Sequence, residues 1–182
     1  MRVGVLALQG GWAAHLACLR GLGHRAVEVR SPRALDGLDG LVLPGGESTA
    51  QWRLLTRAPG LAEALRSFAG SGAPVLVTCA GLVLAARAVA PTQPSLDLLD
   101  VCVRRNGWGR QLASAEARAD DGTPLVLIRA PRIEAVGDGV TVETTLDGEP
   151  VLVRQANVWG ATYHPELAGD LRAYARPFRR GW

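Results

Sequence analysis

A chain of 182 residues with 48% hydrophobic side chains is long enough for one substantial core and too apolar for disorder, and no apolar run nears the roughly 20 residues of a membrane span. Its basic side is entirely arginine: the net charge of +3 is scattered, which argues against a nucleic-acid face, and the absence of lysine excludes a P-loop lysine or a lysine Schiff base. Three widely spaced cysteines, Cys18, Cys79 and Cys102, argue against a disulfide framework or a structural zinc site and suit a reducing cytoplasm.

Arg2–Leu8 reads as a strand rather than a secretory leader, because its only early charge is Arg2 and no small-residue cleavage site follows a long apolar core. Trp12–Leu22 reads as a helix ending at Gly23, and Ala26–Arg30 and Gly40–Leu43 as further strands. Two helices follow, Thr49–Thr56 and Leu61–Ala69, broken at Pro59-Gly60, with Ser48 or Thr49 as a cap for the first. Pro74–Val77 is a buried strand, Thr78-Cys79-Ala80-Gly81 a turn, and Leu82–Val89 an alanine-rich helix. This alternation predicts a parallel α/β sheet with its site at the carboxyl ends of the strands, where Gly45-Gly46 and Cys79 fall.

From Leu96 the pattern turns β-rich. Leu98–Arg104, Leu112–Arg118, Leu125–Arg129, Val140–Leu146, Val151–Gln155 and Val158–Tyr163 read as short strands that extend or flank the sheet. A short helical stretch, Asp170–Ala175, precedes Pro177. With no linker, repeat or low-complexity tract, residues 1–182 read as one domain.

A thiol at a strand-to-helix turn is held out of the sheet within reach of a substrate, and the helix N-terminus beside it favours the thiolate. Such a nucleophile needs a base, and the base needs an orienter. Among His15, His24 and His164, only the last follows an apolar strand pattern and has a carboxylate, Glu166, two positions on. In an extended segment those two side chains point the same way, so Glu166 can fix the ring. Taken singly, Cys79 fits a small core residue and His-Pro-Glu fits a turn; the two together, each after a strand, point to nucleophilic catalysis. The strand ending in Pro44-Gly45-Gly46 lets backbone N–H groups approach a ligand, and with the N–H of Ala80 they suit an oxyanion hole. His15 and His24 read as ordinary helix or loop residues, and Cys18 and Cys102 as structural thiols.

Leu43-Pro-Gly-Gly-Glu-Ser-Thr49, Thr78-Cys-Ala-Gly-Leu82, Arg105-Asn-Gly-Trp-Gly-Arg-Gln111, Ile128-Arg-Ala-Pro131, His164-Pro-Glu-Leu167 and the opening Val3-Gly-Val-Leu-Ala-Leu-Gln-Gly10 together resemble class I (triad) glutamine amidotransferases. More narrowly, they resemble the glutaminase subunit of pyridoxal 5′-phosphate synthase. The resemblance runs in order over almost the whole chain. It implies a three-layer, flavodoxin-like α/β sandwich with a largely parallel central sheet and a β-rich second half. It also implies hydrolysis of L-glutamine to glutamate and ammonia through Cys79, His164 and Glu166, with Gly46 and Ala80 holding the oxyanion. Gly46, Glu47, Ser48, Arg105, Ile128 and Arg129 would line the glutamine site, Arg105 helping at the carboxylate end.

No metal or cofactor is expected in this chain. The implied partner is a lysine-bearing (β/α)8 synthase subunit that makes pyridoxal 5′-phosphate from a pentose phosphate and a triose phosphate, in a large hetero-oligomer. The alternatives are a glutaminase serving another synthase, such as the imidazole glycerol phosphate enzyme, and a non-catalytic regulatory subunit on the same fold. Two departures from the family stand out. The terminal segment is short, and Val77 stands where the resembled elbow usually has glycine. A β-branched residue is stiff and suits an ordinary strand, so Val77 is expected to be plain extended strand pointing into the core, with strain confined to Cys79.

Overall fold

The computed structural model describes residues 1–108, 114–169 and 171–178. In chain order the elements are β1 (Arg2–Leu6), α1 (Trp12–Gly21), β2 (Arg25–Val29), a 3-10 turn (Pro32–Leu35), β3 (Gly40–Leu43), α2 (Ser48–Thr56), α3 (Leu61–Gly70), β4 (Val75–Thr78) and α4 (Ala80–Ala85). Then come β5 (Ala86–Ala90), β6 (Leu99–Arg104), β7 (Ser114–Arg118), β8 (Pro124–Ile128), β9 (Arg132–Val136), β10 (Thr141–Leu146), β11 (Glu149–Gln155), β12 (Val158–Ala161) and α5 (Arg172–Ala175).

The central sheet has seven strands in the order β10-β11-β12-β4-β3-β1-β2. From β12 to β2 every pairing is parallel, and β10-β11 is an antiparallel extension at the β12 side. Parallel strands are covered on both faces, which is why β3 and β4 read as unbroken apolar runs. Their residues divide by the two-residue period of a strand. Leu41, Leu43, Val75 and Val77 pack with Leu55, Leu61 and Leu65 of α2 and α3. Val42 and Leu76 face the other way, onto Leu16 and Leu19 of α1 and onto Tyr174 and Phe178 near the C-terminus. Gly40 makes that docking close: a Cβ there would lie 2.8 Å from the Phe178 ring.

A second sheet, β5-β6-β9, and a hairpin, β7-β8, make up the flank. The hairpin covers a third apolar cluster that includes Leu125, Leu127, Val151 and Tyr163.

The architecture is the expected one, with local differences. The helix after the cysteine turn ends at Ala85, and Ala86–Ala90 is a strand paired parallel with β6. Alanine's helix propensity is worth only a few tenths of a kcal/mol per residue and yields to a sheet ladder. Pro91 also restricts Ala90 to extended backbone. Strand β9, with one buried residue among five, carries too weak a pattern to be read beforehand. The cap of α2 is Glu47, not Ser48 or Thr49: its carboxylate accepts from the N–H groups of Thr49 at 3.2 Å and Ala50 at 2.7 Å. The start of the Leu112–Arg118 reading and residue 170 of the last helix lie outside the described residues, as do residues 109–111 of the Arg105–Gln111 motif.

Candidate active site

Cys79 lies between β4 and α4 with φ 47° and ψ −107°, a positive-φ conformation that a non-glycine residue adopts at a cost of about 1–3 kcal/mol. Its surroundings hold it there. Its N–H donates to the Ala161 carbonyl at 2.9 Å, and its carbonyl accepts from Val83 at 3.2 Å. Two positions on, Gly81 lies against β3, where a Cβ would sit 2.0 Å from the Leu43 carbonyl oxygen. Val77 is fully buried within β4, and the left-handed φ falls on Cys79, as the valine required.

His164 and Glu166 follow β12. They meet across a turn closed by Leu167 N–H to the His164 carbonyl at 3.1 Å, rather than along an extended strand. Even so, His164 Nδ1 lies 2.7 Å from Glu166 Oε1, and the carboxylate side chain is only 2% exposed. Burial alone would push the imidazole down, but hydrogen bonds to Cys79 and Glu166 and their negative charge raise it to about 10. Burial likewise opposes the Glu166 charge, yet hydrogen bonds and attraction from His15 and His164 bring its carboxyl down to about 2. Both shifts favour the charged pair, imidazolium against carboxylate.

Gly45 is what allows the ring this close to the thiol. A Cβ there would lie 2.4 Å from His164 Cε1 and 3.3 Å from Cys79 Cβ. The Gly45 carbonyl accepts from Gly11 N–H at 3.0 Å, with the Gln51 amide nitrogen at 3.5 Å. In a planar trans peptide the adjoining N–H of Gly46 points opposite to that carbonyl. Gly46 is hemmed in by Gln9 Oε1, 2.5 Å from where a Cβ would stand.

A cleft of about 260 Å³ brings together Cys79, His164, Ala80, Gly46, Glu47, Ser48, Arg105, Ile128 and Arg129, which are all the expected site residues except Glu166, behind the ring. Arg105 pairs with Glu47 at 3.1 Å. Burial opposes the Glu47 charge, but the Ala50 and Thr49 N–H groups and Arg105 hold its carboxyl below the usual range. Ser48 Oγ donates to Gln93 Oε1 at 3.0 Å, and the Ile128 carbonyl lies 3.8 Å from Cys79 Sγ. Arg129 has a left-handed φ of 46°.

Some residues of the site escaped the sequence reading. Gln9, which lines the cleft, accepts from Glu47 N–H at 2.9 Å; its place in the opening motif was the only available signal. His15 is not an ordinary helix residue: it is fully buried, with Nε2 3.3 Å from Glu166 Oε2. Cys18, half-buried, has Sγ 3.8 Å from the Glu166 carbonyl oxygen, and burial pushes its thiol up. Cys102 is a half-buried residue of β6. Among the described residues no group of three or more His, Cys, Asp or Glu could hold a metal, and no helix is long and apolar enough to cross a membrane.

Comparison with known proteins gives the family. The chain is 48% identical over 183 residues to the pyridoxal 5′-phosphate synthase subunit PdxT of Corynebacterium jeikeium, covering 96% of this chain and 93% of that one. It is 47% identical over 178 residues to the PdxT of Geobacillus kaustophilus, covering 94% and 90%. A crystal structure of a glutamine amidotransferase superposes with a TM-score of 0.89 at 40% identity, covering 96% of this chain and 95% of that one. The SNO glutamine amidotransferase family pattern matches residues 5–179, and the chain belongs to that family.

Proposed function

We propose that Cys79, His164 and Glu166 are the triad through which this chain hydrolyses glutamine. The observation that carries the reading is a left-handed Cys79 facing, in one cleft, an imidazole whose other side is held at 2.7 Å by a buried carboxylate.

The ring holds the proton taken from the thiol, so sulfur attacks the side-chain amide carbon as thiolate. Negative charge moves to the amide oxygen, where the N–H groups of Gly46 and Ala80 stabilise it. The imidazolium then protonates departing ammonia, leaving a thioester. Water, deprotonated by the now neutral His164, hydrolyses the thioester to glutamate and restores the thiol. Glu166 keeps the ring oriented and its charged form favoured throughout. Arg105 receives the substrate α-carboxylate, and Glu47 the α-ammonium, so their present ion pair opens to admit glutamine.

Ammonia is useful only if it reaches an acceptor before it escapes. We assign this chain as the ammonia-supplying subunit of a pyridoxal 5′-phosphate synthase, as the PdxT relatives are named. A chain without lysine leaves imine chemistry to its partner. That partner is a lysine-bearing (β/α)8 subunit, joined with this one in a hetero-oligomer. The test is ammonia release from glutamine, with and without the synthase subunit. Turnover that rises with the synthase and vanishes in Cys79→Ala is expected. Parent-rate release by Cys79→Ala would overturn the triad.

A further inference from the structure

Glu166 has two carboxylate oxygens, and His164 takes only one. The other, Oε2, is buried and faces His15 of α1, whose Nε2 lies 3.3 Å away. That contact is long and poorly aligned for a regular hydrogen bond, so it acts mainly as an electrostatic one. The same Nε2 lies 3.3 Å from Thr78 Oγ1, next to the nucleophile. On the far side of the ring, Nδ1 lies 2.6 Å from the Tyr174 hydroxyl of α5.

This arrangement settles the tautomer. The ionised Glu166 Oε2 can only accept, so the Nε2 that faces it and Thr78 carries the ring proton. Nδ1 is then the acceptor, and the Tyr174 hydroxyl, which burial and then the nearby Glu166 charge keep protonated, donates to it at 2.6 Å. A histidine with no exposure has no water to satisfy it, and both of its nitrogens face polar groups that reach the triad. Placing a polar ring here is costly unless those contacts matter to the site, because an aliphatic side chain would fill the same space between α1 and β4.

We propose that His15 is a positioning residue for glutamine hydrolysis: held by Tyr174 with its proton on Nε2, it fixes the Oε2 side of Glu166 and so aims Oε1 at His164. The proposal rests on the triad reading above. It extends the chain Cys79–His164–Glu166 through His15 to Tyr174, tying the ring of the base to α1 and α5. The groups around His15 are Glu166 and Thr78, Tyr174 on α5, Cys18 one turn along α1 and, beyond the carboxylate, His164.

The test uses the full chain, assayed with the synthase subunit, in three variants. His15→Leu removes the polar partner of Oε2 and should lower kcat about ten- to a hundredfold with little change in KM, the range for leaving a buried charged group without its partner. His15→Gln can return an N–H near the Nε2 position and should recover most of that loss. Tyr174→Phe fills the same space but frees the tautomer, and should cost about three- to tenfold. Circular dichroism and thermal melts establish that each variant is folded.

The second readout is the Glu166 carboxyl titration, followed by 13C NMR without substrate. In His15→Leu its midpoint should rise by about one unit or more, and the acid limb of activity should rise with it. A folded His15→Leu with parental kcat, or a His15→Gln as impaired as His15→Leu, would overturn the proposal. So would an unmoved Glu166 midpoint, whatever Cys79→Ala does, and this separates failure here from failure of the triad.

Discussion

The two halves of the candidate site are held in different ways. Cys79 is set by backbone: a left-handed residue clamped between β12 and β3, with Gly81 pressed on the Leu43 carbonyl. His164 and Glu166 lie on a turn and are set by charge, through a nearly sealed carboxylate held from both sides by imidazoles. A nucleophile that must stay put while bonds form and break suits a rigid, over-determined backbone. A base that must gain and lose a proton suits a polar network, which tunes affinity without moving atoms. The first half should therefore be sensitive to volume and the second to charge and pH.

The sharpest test of that contrast is Glu166→Gln, which keeps shape and removes charge. Turnover should fall about a thousandfold or more, as when the orienting carboxylate of a triad is neutralised, while the Cys79 elbow stays intact. The His164 midpoint should drop from about 10 toward its ordinary 6.5, read by NMR titration. A charge-neutral variant with parental turnover would erase the distinction.

Gly45→Ala attacks the other variable, volume. Its methyl group would stand 2.4 Å from His164 Cε1, so the ring must move. A displacement of this kind costs on the order of a hundredfold in turnover. The Glu166 carboxyl, on the far side of the ring, should still titrate far below its ordinary range. Unchanged kinetics would mean that the turn gives way at no cost.

Stability against pH reads the charged half alone. The Glu166 carboxyl is depressed to about 2, so its contribution is present above about 4.5 and lost as pH falls from there through 2. The His164 imidazole is raised to about 10, so its contribution is complete below about 6.5 and lost as pH rises from there through 10. Thermal melts should therefore peak between these limits, with each arm worth on the order of 1–3 kcal/mol. Glu166→Gln should abolish the acid arm and shrink the alkaline one, where Cys79 still raises His164, and an unchanged profile in that variant would place the pH dependence elsewhere.

The smallest effect on turnover is expected from Val77→Gly. Loss of a fully buried side chain from β4 should cost about 2–3 kcal/mol in denaturant melts. Turnover should stay within about twofold, because the strain lies at Cys79 rather than at Val77. A faster and equally stable variant would show that the valine obstructs the elbow.

Much of this was legible in the residues. Period-two and continuous apolar runs marked the parallel strands, because a strand buried on both faces has no polar side to show. A cysteine between a strand and an Ala-Gly turn, two glycines after another strand and a His-x-Glu after a third are local patterns with local causes. What escaped notice lacked such a cause. Ala86–Ala90 looks helical by composition and becomes a strand only because β6 lies beside it. The cap of α2 fell to Glu47 rather than to the neighbouring Ser48 or Thr49, and Arg105, 58 positions along the chain, pairs with that same carboxylate.

His15 is the clearest case. Its partners Thr78 and Tyr174 lie 63 and 159 positions away in sequence, and nothing near it in α1 announces them. The chain by itself determined the strands, the elbow and the order of the proposed triad residues, because these depend on neighbours a few positions apart. Only the tertiary structure decided which buried polar groups share a proton, because that depends on side chains brought within about 3 Å by packing α1 and α5 on one face of the sheet.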